Sequence, residues 1–260
     1  MNEIPVVLTI AGSDCSAGAG IQADLKTFTV LGVYGMSVLT SVTAQNTRGV
    51  TAVSDVPVET IEAQFDAVVS DIGVDAAKTG MLSSRAIIEA VAARLRRAPI
   101  RQLVVDPVMR AKGGDPLLHP EAADALRDQI VPLAAIVTPN RHEAEALARL
   151  TIDGPAAAEE AARRIHALGA QAVVIKDGGR DLFYDGGEMV WLEGERIDTR
   201  SLHGTGCTLS AAMAAHLARG LAPIDAAREA KKFVTVAIRR AHPLGQGHGP
   251  VNHLWPLEES

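Results

Sequence analysis

The chain has 260 residues, 47% of them hydrophobic and only 3% aromatic. That is enough aliphatic material for one large core, so one domain over residues 1–260 is expected, with a mostly parallel sheet covered by helices on both faces. The formal net charge of −6 and the lack of a Lys or Arg run argue against a nucleic-acid or anionic-membrane partner.

Two cysteines without metal spacing, and no charged-then-apolar leader, lead to the expectation of a reducing, cytoplasmic setting. Arg94, Arg96 and Arg97 cluster where a helix end explains them. The uncharged stretch from Thr27 to Thr47 is long enough to cross a bilayer. Its Gly32, Gly35, Gln45, Asn46 and many Ser and Thr residues make it instead the end of a helix followed by a buried strand.

In chain order, Pro5 to Ala11 is an apolar run that ends in a glycine-rich loop, Gly12 to Gly20. Ile21, Leu25, Phe28 and Leu31 follow at helical spacing. A strand, a glycine loop and a helix in that order place a ligand outside the carboxyl end of the strand. The dinucleotide fingerprint fails, because Ala23 stands where a third glycine is needed and Asp24 comes too early for a ribose contact. Asp24 is expected in the first helical turn, either complementing the dipole or facing a ligand.

Tyr34 to Thr43 reads as a strand, Ala44 to Gly49 as a turn and Val50 to Val56 as the next strand. Gln45 offers a paired donor and acceptor that match the edge of an aminopyrimidine, but from the residue alone an ordinary turn glutamine is the stronger reading. Helices at Glu59–Ser70 and Ser84–Arg96 flank a buried strand end, Ala76 to Met81. Leu103 to Val108 is a strand carrying Asp106 near its carboxyl end, followed by a loop through Lys112-Gly113-Gly114. Ala134 to Val137 leads into Thr138-Pro139-Asn140, which opens a helix to about Arg149. Asn140 and Glu143 have the spacing of a capping box, and the same oxygens suit a magnesium ion and its waters.

Ala157 to Leu168 is helical. Ala172 to Lys176 is a strand whose last residue can reach a nucleotide phosphate. A hairpin, Leu182–Tyr184 with Met189–Leu192, turns at Asp185-Gly186-Gly187. A helix from Asp225 to Ala241 closes the fold. His242, His248 and His253 lie in a Gly- and Pro-rich tail that reads as a polar loop rather than a metal site.

The stretch from His203 to Thr208 begins a helix with two glycines in a row of six residues. Unpaired N–H groups and the positive end of the dipole meet there and favour an anion, most often phosphate. Cys207 falls in the first turn, where the same field is expected to favour thiolate, making it a candidate base or nucleophile. A buried cysteine acting as a small hydrophobe is the alternative.

Taken in order, the strings A-G-S-D-x-S-x-G-A-G-I-Q-A-D from Ala11, T-A-Q-N-T from Thr43, K-T-G-M-L from Lys78, D-P-V-M from Asp106, T-P-N from Thr138, H-G-T-G-C-T from His203 and G-x-G-x-G-P-V-N-H from Gly245 resemble one family nearly end to end. It is the hydroxymethylpyrimidine/phosphomethylpyrimidine kinases of thiamine biosynthesis, in the ribokinase-like superfamily. The resemblance implies a ribokinase-like three-layer α/β/α sandwich of eight or nine strands, usually a homodimer. It implies phosphorylation of 4-amino-5-hydroxymethyl-2-methylpyrimidine and then of its monophosphate, with ATP, Mg²⁺ and in some relatives a monovalent cation.

The resemblance also implies roles. Gln45 would read the amino edge of the pyrimidine, with Gly12, Asp24 and Met81 lining that pocket. Lys176, Asn140 and Thr205 would serve ATP, and Asp106 and Glu143 the magnesium, partly through water. The amides of Gly204, Thr205, Gly206 and Cys207 would hold the migrating phosphoryl group while the Cys207 side chain takes the alcohol proton. Many ribokinase relatives carry aspartate at that position. In the second transfer a phosphate attacks, so Cys207 should matter less. Two departures stand out: Cys15 where the family has proline, and Ala17 where it has glycine. Cys15 adds a thiol on the ligand side that could pair with Cys207 under oxidation. A pyridoxal kinase, or a pyrimidine-binding regulator without turnover, are the competing readings.

Overall fold

A computed structural model describes residues 4–258. In chain order its elements are β1 (Val6–Asp14), α1 (Gly20–Val30), β2 (Tyr34–Asn46), β3 (Gly49–Asp55), α2 (Val58–Asp71), β4 (Ala76–Thr79), α3 (Arg85–Arg97) and β5 (Gln102–Val105). There follow a short turn α4 (Ala123–Ala125) inside an irregular helical stretch, β6 (Ile136–Val137), α5 (Arg141–Ala148), α6 (Pro155–His166), β7 (Val173–Ile175), β8 (Asp181–Tyr184), β9 (Met189–Leu192), α7 (Thr205–Ala218) and α8 (Pro223–Arg239).

The nine strands make one sheet in the order β3-β2-β1-β4-β5-β6-β7-β8-β9. From β2 to β7 all neighbours are parallel, while β3, β8 and β9 join antiparallel at the two edges. From β1 the chain goes first to β2 on one side and later to β4 on the other. This creates a switch point at the carboxyl ends of β1 and β4, where open α/β sheets leave a crevice.

Strand side chains alternate between two apolar layers. Val6, Leu8 and Ile10 pack with α2, α3, α5 and α6, while Val7 joins Val104, Ile136 and Val174 beneath α1, α7 and α8. Helix α7 is buried on nearly every side, and its Ala211, Ala212, Ala214 and Ala215 are all inaccessible to solvent. Side chains that small let α7 lie close over β1, β4 and β5 while also meeting α1 and α8. The start of α7 is thereby held over the crevice. Fully buried Phe28 on α1 locks the same layer, contributing about 1.5–3 kcal/mol on general burial scales.

The expected elements are present, with shifted ends that have physical causes. β1 continues through Gly12 to Asp14, because β2 pairs Ser13 and Asp14 with Val42 and Thr43 beyond a register shift. β2 reaches Asn46 because β3 folds back on it, so Gln45 is a strand residue opposite Val50, beside an irregularity that turns its side chain. β5 ends at Val105, where Pro107 removes a ladder donor. The helical stretch between Pro120 and Leu133 was not anticipated; it mixes short 3₁₀, α and π turns, which carry no clear period. Among the described residues no helix is long and apolar enough to cross a membrane.

Candidate active site

The amino end of α7 forms one wall. Gly204 caps it with φ 81°, and a Cβ there would sit 1.8 Å from the Gly18 carbonyl oxygen, so glycine is what lets the first loop and the helix start touch. Residues 204–207 are each partly exposed, and burial begins at Thr208. The Thr208 amide makes the first helical bond, to the Gly204 carbonyl at 2.8 Å, and Thr205 turns its own amide onto Leu202. The amides of Gly206 and Cys207 lie ahead of that first bond, at the positive end of a 14-residue helix.

On one side of this start stands an ion pair from the ends of β5 and β7, the two strands that flank β6. Lys176 Nζ donates to Asp106 Oδ1 at 2.8 Å. A Cβ on Gly206 would come within 3.3 Å of that ammonium and 3.5 Å of Asp106 Oδ2, so the missing side chain keeps both groups against the helix start. Burial works to lower Lys176, but Asp106 and Glu143 outweigh it and hold the ammonium above its ordinary range. Asn140 and Glu143 form the expected capping box: the Glu143 amide donates to Asn140 Oδ1 at 3.0 Å and the Asn140 amide to Glu143 Oε2 at 2.8 Å. Burial pushes Glu143 up to about 7, with Asp106 adding to the rise and Lys176 opposing it.

On the other side lie Gln45, Gly12 and Met81. Gln45 Nε2 is 3.4 Å from His203 Nε2, and His203 is in turn 2.7 Å from Asp14 Oδ2. Burial would raise Asp14, yet the bonds from His203, Ser16 and the Ala19 amide leave its carboxyl below the usual range. Gly12 faces Met81, whose sulfur would be 3.2 Å from a Cβ at that position. Gln45, His203, Lys112 and His248 border a small cavity at this end. The crevice thus brings together Gln45, Gly12, Met81, Gly204, Thr205, Gly206, Cys207, Asp106 and Lys176, with Asn140 and Glu143 just behind.

Two expectations are corrected. Asp24 is not in the first turn of α1, which has no acidic residue, and it does not open onto the loop. It is fully buried, accepting from Thr9 Oγ1 at 2.7 Å and from Lys78 Nζ at 2.9 Å. Burial pushes the carboxyl up while Lys78 and Thr9 pull it back; Asp24 in turn keeps the buried Lys78 ammonium charged.

The second correction concerns Cys207. The field of the helix start does not produce a ready thiolate: burial pushes the thiol up to about 11, against the pull of Lys78 and the Gly20 amide. Protein packed around the sulfur disfavours the anion even though the residue as a whole stays partly exposed. Cys15 and Cys207 are both free, and Cys15 Sγ is occupied with the Gln45 backbone, donating to its carbonyl at 3.1 Å.

Sequence reasoning missed Asp14, Lys78 and His203 as parts of this site. Lys78 was the most legible of them, because a lysine inside Ala76-Ala77-Lys78-Thr79 needs a buried carboxylate. His203 carried no such sign, since its partners lie 158 and 189 residues away.

A family profile described as phosphomethylpyrimidine kinase matches residues 14–252. A hydroxymethylpyrimidine/phosphomethylpyrimidine kinase of Rhizobium meliloti is 53% identical over 260 residues, which cover 96% of this chain and 97% of that protein. The thiamine biosynthesis bifunctional protein ThiED of Geobacter sulfurreducens is 50% identical over 97% of this chain, but this chain spans only 53% of that protein's length. Among solved structures, an ADP complex of Bacillus subtilis pyridoxal kinase superposes with a TM-score of 0.92 at 45% identity, covering 99% of this chain and 100% of that one.

Proposed function

The chain belongs to the phosphomethylpyrimidine kinase family and is a ribokinase-like phosphotransferase, and from that premise we infer that it phosphorylates 4-amino-5-hydroxymethyl-2-methylpyrimidine and then the resulting monophosphate, using ATP. The observation that carries this reading is the placement of the open first turn of α7 between two chemically distinct ends. Lys176 and Asp106 stand on one side, and Gln45, through His203, on the other.

Gln45 reads the ring nitrogen and amino group of the pyrimidine with its paired acceptor and donor. Gly12 and Met81 form the floor of that pocket, and Asp24 supports it from beneath. The ring is thereby held with its hydroxymethyl group toward Cys207. At the other end Lys176, Asn140 and Thr205 serve the nucleotide phosphates. The amides at the start of α7 stabilise charge on the equatorial oxygens of the phosphoryl group in flight.

Asp106 and Glu143 suit a magnesium ion by their chemistry: two buried oxygen acids stand close enough that Asp106 raises Glu143, which marks a shortage of positive charge. The Asn140 and Met109 amides engage the Glu143 carboxylate, so its contact with the ion would run through water. When bound, the ion neutralises phosphate charge and adds positive charge beside Asp106, one of the groups that keeps the Cys207 thiol high.

Cys207, once its own thiol proton has left to solvent, takes the alcohol proton as thiolate while the alcohol oxygen attacks the γ-phosphorus and ADP leaves. In the second transfer a phosphate attacks and no proton need leave. The protein works as a single domain, as a homodimer, in the cytoplasm.

An assay with ATP and the hydroxymethylpyrimidine, resolving mono- from diphosphate products, tests the reading. Sequential appearance of both is expected. Pyridoxal is the competing substrate, given the similarity to a pyridoxal kinase; a kcat/KM for pyridoxal well above that for the pyrimidine would overturn the assignment. Binding without turnover would make the protein a regulator instead.

A further inference from the structure

The tail from Gly245 to His253, which reads from sequence as a polar loop rather than a metal site, crosses both ends of the crevice. At the pyrimidine end the amides of Gln246 and Gly247 donate to Thr47 Oγ1, each at 3.2 Å, and the His248 amide donates to the Thr47 carbonyl at 2.7 Å. Thr47 lies two residues after Gln45.

Next to the start of α7 the tail runs alongside His203, which also meets Gln45. The His203 amide donates to the Gly249 carbonyl at 3.0 Å and the Val251 amide donates to the His203 carbonyl at 3.2 Å. Two residues further, buried His253 places Nε2 at 2.9 Å from Thr208 Oγ1 in the first turns of α7. The Asn252 amide ties the same stretch to the Ala237 carbonyl of α8 at 2.9 Å.

The contact is close enough to dictate sequence. A Cβ on Gly247 would lie 2.0 Å from the Thr47 carbonyl oxygen, a backbone atom that cannot swing away. Gly18 of the first loop meets the same segment, its Cβ position lying 3.2 Å from Pro250 Cβ. The glycine spacing therefore reflects backbone packed on backbone at the rim of the crevice.

We propose that residues 245–253 are a positioning strap for catalysis: they fix Gln45 through Thr47 and the phosphate loop through His203 and Thr208, and so set one distance between the ring-reading end and the phosphoryl-receiving end. The inference rests on the reading of Gln45 as the pyrimidine-recognising residue. None of the strap residues need touch substrate. They act through Gln45 and the start of α7, and an error of about 1 Å at such a site costs on the order of a hundredfold in rate.

The test is steady-state kinetics with ATP and the hydroxymethylpyrimidine on the full chain and three variants, each with its thermal midpoint. Gly247→Ala should raise KM for the pyrimidine about tenfold, with KM for ATP within about twofold of wild type. Thr47→Val keeps the shape and removes only the hydroxyl acceptor, and should raise the same KM about fivefold with an unchanged midpoint. His253→Ala, which releases the other end, should lower kcat about tenfold and leave KM for the pyrimidine near wild type.

If Gly247→Ala fails to fold, Thr47→Val decides for that end. The proposal is overturned if Thr47→Val leaves KM for the pyrimidine within twofold, or if the variants move only the midpoint and the active fraction. Failure of wild type to turn over the pyrimidine would instead sink the functional reading, which separates the two.

Discussion

Replacing Lys78 with methionine should strand a carboxylate in the layer between the sheet and α7. Lys78 and Asp24 are both fully inaccessible, and the ammonium lies 2.9 and 3.1 Å from the two carboxylate oxygens. Of the side chains that donate to Asp24, Thr9 Oγ1, at 2.7 Å, would remain. Breaking one side of a buried pair costs about 3–5 kcal/mol, a large part of the roughly 5–15 kcal/mol that stabilises a domain.

The pH dependence has a definite sign. In Lys78→Met the folded Asp24 is raised above its unfolded value, so the folded state binds the proton more tightly. The deficit is then fully present above the raised folded value and shrinks as pH falls toward about 4. Urea unfolding followed by the fluorescence of Trp191 and Trp255 at pH 5 and pH 8 would measure it. Adding Asp24→Asn removes the stranded charge and should restore most of the loss. A single variant within about 1 kcal/mol of wild type, or a double variant no better than the single one, would refute the argument that the pair holds this layer together.

Cys207→Ala should slow the first phosphorylation by about 10²–10⁴, the usual range for loss of a proton acceptor, and slow the second far less; rapid-quench separation of the two products checks this. Cys207 should also resist iodoacetamide at pH 7.5 and gain about tenfold in rate per pH unit toward 11, while exposed Cys15 is labelled readily, as peptide mass spectrometry would show. Burial pushes His253 down to about 4 from an ordinary 6.5, so its folded pKa is depressed and the folded protein binds fewer protons. Stability should be complete above pH 6.5 and fall by about 2 kcal/mol by pH 5, a loss that His253→Gln removes in the same urea experiment.

Much of the architecture was legible because its cause is local. The continuous apolar run that forms β1 is written in consecutive residues, and so are the helix start at Gly204 and the capping box at Asn140 and Glu143. What could not be read depends on depth and on distant partners. Cys207 has the address of an activated thiol, at the start of a helix, yet the protein packed around it and the carboxylates of Asp24 and Asp106 push the thiol up. Asp24 sits one turn deeper than expected and is claimed by Lys78, which is 54 residues away.

The charges around Cys207 then bear on how the site is built. Lys78 and the Gly20 amide favour its thiolate, while burial, Asp24 and Asp106 oppose it. A thiol held near 11 stays protonated at neutral pH and is protected from alkylation and oxidation. On the proposed reading it accepts the alcohol proton only as thiolate, after its own proton has left to solvent. In a transfer whose transition state is carried mostly by positioning and charge neutralisation, late and limited proton removal is sufficient. The same logic explains why so much of the sequence around the crevice, from Gly18 and Gly204 to Gly247, serves close backbone contact rather than chemistry: the reacting groups contribute through where they are held.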